Sequence, residues 1–249
     1  MSQAKLYSGT RNASSWAMRA WLSLREAGVE FEEETVDIRR PQRFPNLARI
    51  GRFSPPAMVP VLVIGDAVIF DSLAIMEYAN EATGGELLPA SLVDRARARS
   101  LMAWQHAGLS NICSRISFES AFYPVKRSLS QTELSECTRL IAPLEKCLER
   151  SGGPFLFGDL SLADLILVPT VLRLTSHALD LSQSPRCKRW SRGLLGLASV
   201  KEWLEEARSE PHIWFDDYLH PTAPSRPEFE GPVIETVVTC ANQTTPLAV

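Results

Sequence analysis

Two adjacent hydroxyls, Ser14 and Ser15, stand between a polar loop and a run that turns apolar and helical at Trp16. A serine at a helix start sits among free backbone N–H groups and the positive end of the helix dipole, so it can donate to an anion. A thiolate is the anion for which this would matter. A free thiol with a reference pKa of about 8.5 is only a few per cent ionised at neutral pH. Lowering that value by one to two units stabilises the thiolate by about 1.4–2.7 kcal/mol. A charge-assisted hydrogen bond together with a helix end supplies energy of that order. The same serines serve equally well as ordinary N-caps, which requires no chemistry.

Two further stretches offer complementary chemistry. Asp71-Ser72 stands directly before another apolar-periodic run. There a helix N-terminus and the Ser72 hydroxyl suit a carboxylate, and Asp71 suits an ammonium, although Asp71 also reads as a plain N-cap. Val59-Pro60 opens a strand within "AMVPVLV". Proline is tolerated at a strand start because its missing N–H need not join the ladder. If the bond is cis, Val59 turns its own N–H and C=O outward, where an extended peptide can pair with them as an added strand. If it is trans, the proline merely begins a strand. Taken together, the three stretches fit a short peptide with a free amino-acid end and a cysteine. Glutathione is such a molecule.

The elements that must position these residues alternate in the first third of the chain. Residues 5–8 read as a strand and residues 16–27 as a helix stopped by Gly28. "VEFEEETVDI" alternates apolar and acidic residues, as a strand with one wet face does. Residues 39–58 are irregular and basic, with a short helix near 45–50. The runs 61–64 and 67–70 are joined by Gly65-Asp66, a Gly-first two-residue hairpin loop. A helix follows from Asp71-Ser72 and ends at Gly84-Gly85. Residues 5–83 therefore read as one small sheet with helices packed on it, an α/β unit.

After "GGELLPAS" the strand signal disappears. Residues 94–120 read as one long helix, residues 130–151 as another that Pro143 should kink or break, residues 161–175 as a central apolar helix, and residues 199–210 as an amphipathic one. The expected organisation is an α/β domain over 1–83, a linker over 84–91, an all-helical domain over 92–215 and an extended tail over 216–249.

Bulk properties narrow the function. The 249 residues are 45% hydrophobic, enough for a sizeable core, and carry a formal net charge of -3, which gives no electrostatic case for nucleic acid. The sequence contains neither an apolar stretch long enough to span a membrane nor the apolar run of a signal peptide. The five cysteines, Cys113, Cys137, Cys147, Cys187 and Cys240, are odd in number and form no C-x-x-C pair, which suits free thiols in a reducing cytosol. The four histidines are scattered without i, i+4 spacing, so no metal site is expected.

The chain resembles the cytosolic glutathione transferase superfamily up to about residue 215. The resemblance is carried by "LYSGTRNASSWAMRAWLSLREAGVEFE", "MVPVLV" and "FDSLAIMEYANE" in the first part and by "FLFGDLSLADLILVPTVLRL" in the second. It implies a thioredoxin-like N-terminal domain and an all-α C-terminal domain. In that second part, Ser161 to Asp164 reads as an S-x-x-D capping box whose role is folding. The Ser-Ser-Trp loop is similar to the serine type of the zeta and theta classes and of bacterial relatives. Counting back from Gly28 puts Ser14 at the active position; counting forward from Leu6-Tyr7 points nearer Asn12, and Ser15 is a second reserve. Tyr7 occupies the place of the catalytic tyrosine in other classes and is a minor candidate. The resemblance places Val59, Pro60, Asp71, Ser72 and, by position, Met58 around glutathione. Relatives often have Gln, Lys or Arg where Met58 stands, and a thioether cannot hold the peptide's far carboxylate. Arg43 or Arg52 is the candidate substitute.

Met102, His106, Leu109 and Cys113 recur at helical spacing. They read either as helix packing or, on the resemblance, as the wall of a second-substrate pocket. Arg95, Arg97 and Arg99 read as a solvated face or as interdomain ion pairs rather than a substrate clamp. The resemblance implies a cytoplasmic homodimeric enzyme of detoxification. It uses glutathione as cosubstrate, without metal, membrane or nucleic acid, and its thiolate attacks a small apolar electrophile. The same thiolate would serve a cis–trans isomerase or a reductive dehalogenase or etherase. A non-catalytic binding or scaffold protein is the remaining reading.

Overall fold

The computed structural model describes residues 3–39, 41–109 and 112–212. The expected tail over 216–249, and Cys240 within it, lie outside the described residues. The chain begins β1 (Ala4–Gly9), α1 (Ser15–Glu26), β2 (Phe31–Val36), α2 (Arg43–Ile50), β3 (Val61–Ile64), β4 (Ala67–Phe70) and α3 (Ser72–Ala82). The four strands form one mixed sheet in the order β2-β1-β3-β4. β1 runs parallel to β2 with Leu6 opposite Glu33, and antiparallel to β3 with Leu6 opposite Leu62. The β3–β4 hairpin turns at Gly65 with φ 61°, as a Gly-first loop requires.

Helices α1 and α3 bury their apolar faces against the sheet. Met18, Leu22, Ile75 and Met76 are fully buried with Leu6 and Leu62. Val36, Ile50 and Val61 form a smaller core on the other side, under α2. β2 keeps its wet face by pairing charges: Lys5 bridges Glu32 and Glu34, and Arg49 reaches Glu34.

The second part is helical: α4 (Leu92–His106), α5 (Ile112–Arg115), a 3-10 turn (Glu119–Phe122), α6 (Gln131–Ser151), α7 (Leu162–Leu165), α8 (Val168–Ser176), α9 (Pro185–Leu195) and α10 (Ala198–Ser209). Three expectations need correction. The long helix over 94–120 ends at His106, because Gly108 and Leu109 both adopt positive φ and no helix continues through them. Of the kink or break expected at Pro143, the break does not occur, because helix α6 continues through it. Pro143 is exposed, so the Arg139 carbonyl deprived of its N–H partner lies on a wet face. Helix α9 was not expected at all. Its buried Cys187, Trp190, Ser191 and Leu194 follow helical spacing, interleaved with four basic residues.

Asp164 performs the folding role read from the S-x-x-D pattern. Its carboxylate accepts from the Ser161 N–H and hydroxyl, from the Leu156 N–H and from the Trp190 indole. Burial pushes this carboxyl above the usual range, with these four donors opposing the shift. No helix among the described residues is long and apolar enough to cross a membrane.

Candidate active site

The start of α3 is built on an uncommon backbone. Asp71 is held at φ 76° and ψ 131°, a region that L residues rarely occupy and that persists where surrounding structure enforces it, often at ligand sites. One Asp71 oxygen accepts from the Leu73 N–H at 2.7 Å, so the capping reading holds. The other faces His106 Nε2 at 3.4 Å. Ser72 is 1% exposed, and its buried hydroxyl has no hydrogen-bond partner among the described residues. An orphaned buried hydroxyl costs free energy unless a ligand or water completes it.

A cavity of about 210 Å³ opens beside these residues. Asp71, Ser72 and Phe70 form one side; Pro56, Met58, Val59 and Pro60 form another; Trp16 and His106 close it. The Val59–Pro60 bond is cis. Trp16 stands edge-on to His106 with ring centres 5.1 Å apart, which ties the first turn of α1 to the end of α4. A larger open groove of about 730 Å³ lies between α8 and α9 and includes none of the residues singled out in the sequence.

Ser14 is the N-cap of α1, and its Oγ accepts from the Ala17 N–H at 3.2 Å. It is 4% exposed and is not among the residues around the cavity. Its position relative to the strand edge follows from Gly9. A Cβ on Gly9 would meet Ser14 Oγ at 2.9 Å and Val59 Cγ2 at 3.1 Å, so the two side chains converge on the same point. Because Oγ uses a lone pair on Ala17, its proton is left to donate.

Comparison with characterised proteins decides the family. The chain is 32% identical over 222 residues to "Glutathione S-transferase 1" of Dianthus caryophyllus, an alignment that takes in 82% of this chain and 96% of the relative. The chain belongs to the glutathione S-transferase family. Residues 13–82 match the family described as the glutathione S-transferase N-terminal domain. A second relative, a probable maleylacetoacetate isomerase of Caenorhabditis elegans, is 30% identical over 186 residues, 74% of this chain and 85% of the relative. Among solved structures, a glutathione transferase homologue from Burkholderia, determined with bound glutathione, aligns with a TM-score of 0.63 and 25% identity over 84% of this chain and all of that one.

Within this transferase, the cavity unites five of the residues expected around glutathione: Met58, Val59, Pro60, Asp71 and Ser72. Of the four residues expected to wall a second pocket, His106 alone borders the cavity. Met102 and Leu109 are each 1% exposed and pack into the main core, as the helix-packing alternative has it. Cys113 lies beyond the helix break, on α5, where Gln105 Nε2 approaches its sulfur at 3.8 Å. Asn12 is committed elsewhere: its side-chain amide donates to the Glu210 and Pro211 carbonyls, and its backbone N–H donates to the Glu210 carboxylate. Ser15 Oγ accepts from Arg173 at 3.4 Å. Tyr7 packs its ring against Phe53. Neither Arg43 nor Arg52 is among the residues around the cavity.

Arg99 pairs with Glu77 across α4 and α3, and Arg97 pairs with Asp94, which supports the ion-pair reading of that cluster. Burial pushes the Cys137 thiol up to about 11 and also raises Cys147 and Cys187, so these sulfurs stay protonated. Sequence reasoning missed Trp16, Pro56 and Phe70 as cavity residues. Their signal was position alone: Trp16 adjoins Ser15, Phe70 adjoins Asp71, and Pro56 lies two residues before Met58.

Proposed function

We propose that this transferase binds glutathione along the edge formed by residues 58–60 and the start of α3, and that Ser14 steadies its thiolate. The Ser72 hydroxyl and the α3 N-terminus hold the γ-glutamyl carboxylate, Asp71 accepts from the ammonium, and the Val59 backbone pairs with the cysteinyl unit. The Ser14 hydroxyl donates to the sulfur, which then attacks a small apolar electrophile, so that the nucleophile belongs to the cosubstrate. The observation that carries the reading is the buried Ser72 hydroxyl, unpartnered among the described residues, beside Asp71 in the lining of the cavity that Val59 and Pro60 also border. The reading includes a cytoplasmic homodimer.

A second outcome of the same thiolate is cis–trans isomerisation, favoured by the relative named a maleylacetoacetate isomerase. Turnover of a generic aryl halide set against that of a cis-enone diacid separates the two.

The test is Ser14→Ala, followed by aryl-halide turnover and by spectroscopic titration of the bound thiol. We expect kcat/KM to fall between tenfold and a hundredfold and the thiol pKa to rise by about one to two units. An unchanged rate together with an unchanged thiol pKa overturns the assignment of Ser14.

A further inference from the structure

Two arginines buried between the sheet-bearing part and the helical part have no counter-ion among the described residues. Arg19, in the second turn of α1, is 1% exposed, and its Nε and Nη1 have no hydrogen-bond partner among the described residues. Arg173, on α8, is 3% exposed; its Nε and Nη1 are likewise unpartnered, while Nη2 donates to Ser15 Oγ. Aromatic faces cover both: Arg19 lies 4.0 Å from the Trp16 ring centre, and Arg173 lies 5.3 Å from that of Phe118. Neither forms an ion pair among the described residues. Arg11 shows how this fold ordinarily treats a buried guanidinium, with Glu33 and Glu206 each at 2.7 Å.

The groups that face the pair come from several elements. Asp71, at the head of α3, and Cys113, on α5, act on Arg19; Cys113 and Glu119, in the 3-10 turn, act on Arg173. His106 of α4 packs against the Trp16 ring that covers Arg19. Glu119 is a reluctant anion, because burial holds its carboxyl above the usual range while Arg173 and Arg43 pull it down only in part. Asp71 is half exposed and already bonded to the Leu73 N–H. Burial first, and then Arg173, bring Arg19 down to about 9, and burial lowers Arg173 as well; a guanidinium nevertheless keeps its proton in proteins.

The pair stands immediately behind the start of α1. Ser15, which receives Arg173, adjoins the Ser14 cap. In a buried, poorly screened setting the field of an unpaired cation reaches farther than it would at the surface. We propose that Arg173 and Arg19 are positioning residues for the glutathione sulfur: their unneutralised charge, brought to the helix start beside Ser15, favours thiolate over thiol. The proton released goes to solvent, and the bound anion is a counter-charge that the described residues do not supply. This rests on the assignment of glutathione to the Ser14–Val59–Ser72 site.

The experiment uses the full chain saturated with glutathione and follows the thiolate absorbance against pH. Arg173→Met and Arg19→Met are each expected to raise the bound thiol pKa by about one unit, a roughly tenfold loss of thiolate at neutral pH. Arg173→Lys, which keeps the charge, should stay near the wild type. If Arg173→Met does not fold, Arg173→Gln takes its place, because it keeps a donor to Ser15 without the charge and carries the same expectation. A thiol pKa unchanged in the uncharged variants overturns the proposal, as does a Lys variant that shifts as far as they do. Ser14→Ala in the same titration separates the two failures. If it shifts the thiol while the arginine variants do not, the pair is excluded and the site stands. If the wild type shows no bound thiolate, both fall.

Discussion

Ser72 separates a binding role from a structural one more sharply than any other side chain in the cavity. Its hydroxyl makes no hydrogen bond within the described structure, so removing it takes nothing from the folded state. Ser72→Ala is expected to weaken glutathione binding about tenfold, the worth of one hydrogen bond to a charged group. Its melting temperature should stay at or slightly above that of the parent. Isothermal titration and thermal unfolding read the two effects separately. The residue types of this site were legible in the sequence because Asp71-Ser72 and Val59-Pro60 are local signals whose meaning depends on a few neighbours. Arg19 and Arg173 were not legible. A charged residue inside a helix reads as a solvent-facing one, and only tertiary packing reveals that aromatic rings cover it. The one available signal was Arg173 standing alone within "LILVPTVLRLT", an otherwise apolar run.

Among the elements, the hairpin and the helices around the sheet followed from turn chemistry and period. The later helices were read less well. The spacing of Met102, His106, Leu109 and Cys113 runs across the break at Gly108-Leu109, so periodicity suggested one helix where the backbone makes two. Helix α9 was hidden by its charge density, although Ser184-Pro185 is an N-cap followed by proline at N1. The start of α6 carries a prediction. Ser130 and Glu133 form a reciprocal capping box, and Arg127 holds the Glu133 carboxylate at 2.6 Å. The Arg127 guanidinium, foremost, lowers the Glu133 carboxyl from 4.5 to about 2. A carboxyl depressed in the folded state stabilises the protein fully above its ordinary value and loses that contribution as pH falls. Stability should therefore drop between pH 4.5 and about 2, by on the order of 3 kcal/mol from this group. In Glu133→Gln that part of the acid limb should be missing from denaturant-melt midpoints collected across the same range.

In the molecule as a whole, Arg11 ties the sheet-bearing part to the helical part. It bridges Glu33 of β2 and Glu206 of α10. Its guanidinium lies 5.1 Å from the Trp21 ring centre and 4.5 Å from that of Trp203, and the Trp203 indole donates to the Arg11 carbonyl. Arg11→Met leaves Glu33 half-buried without its cation and should cost about 3–5 kcal/mol, the range for breaking one partner of a buried pair. Urea melts of the variant test this. The clamp also has an optical consequence. Trp21 belongs to α1 and Trp203 to α10, with ring centres 5.6 Å apart and the Arg11 guanidinium against both, so the emission of these two is expected to change when the halves separate. Intrinsic emission is thus a built-in gauge of whether the halves are docked, independent of helical ellipticity. A spectral shift that precedes loss of ellipticity on heating would reveal two parts that come apart while each is still folded.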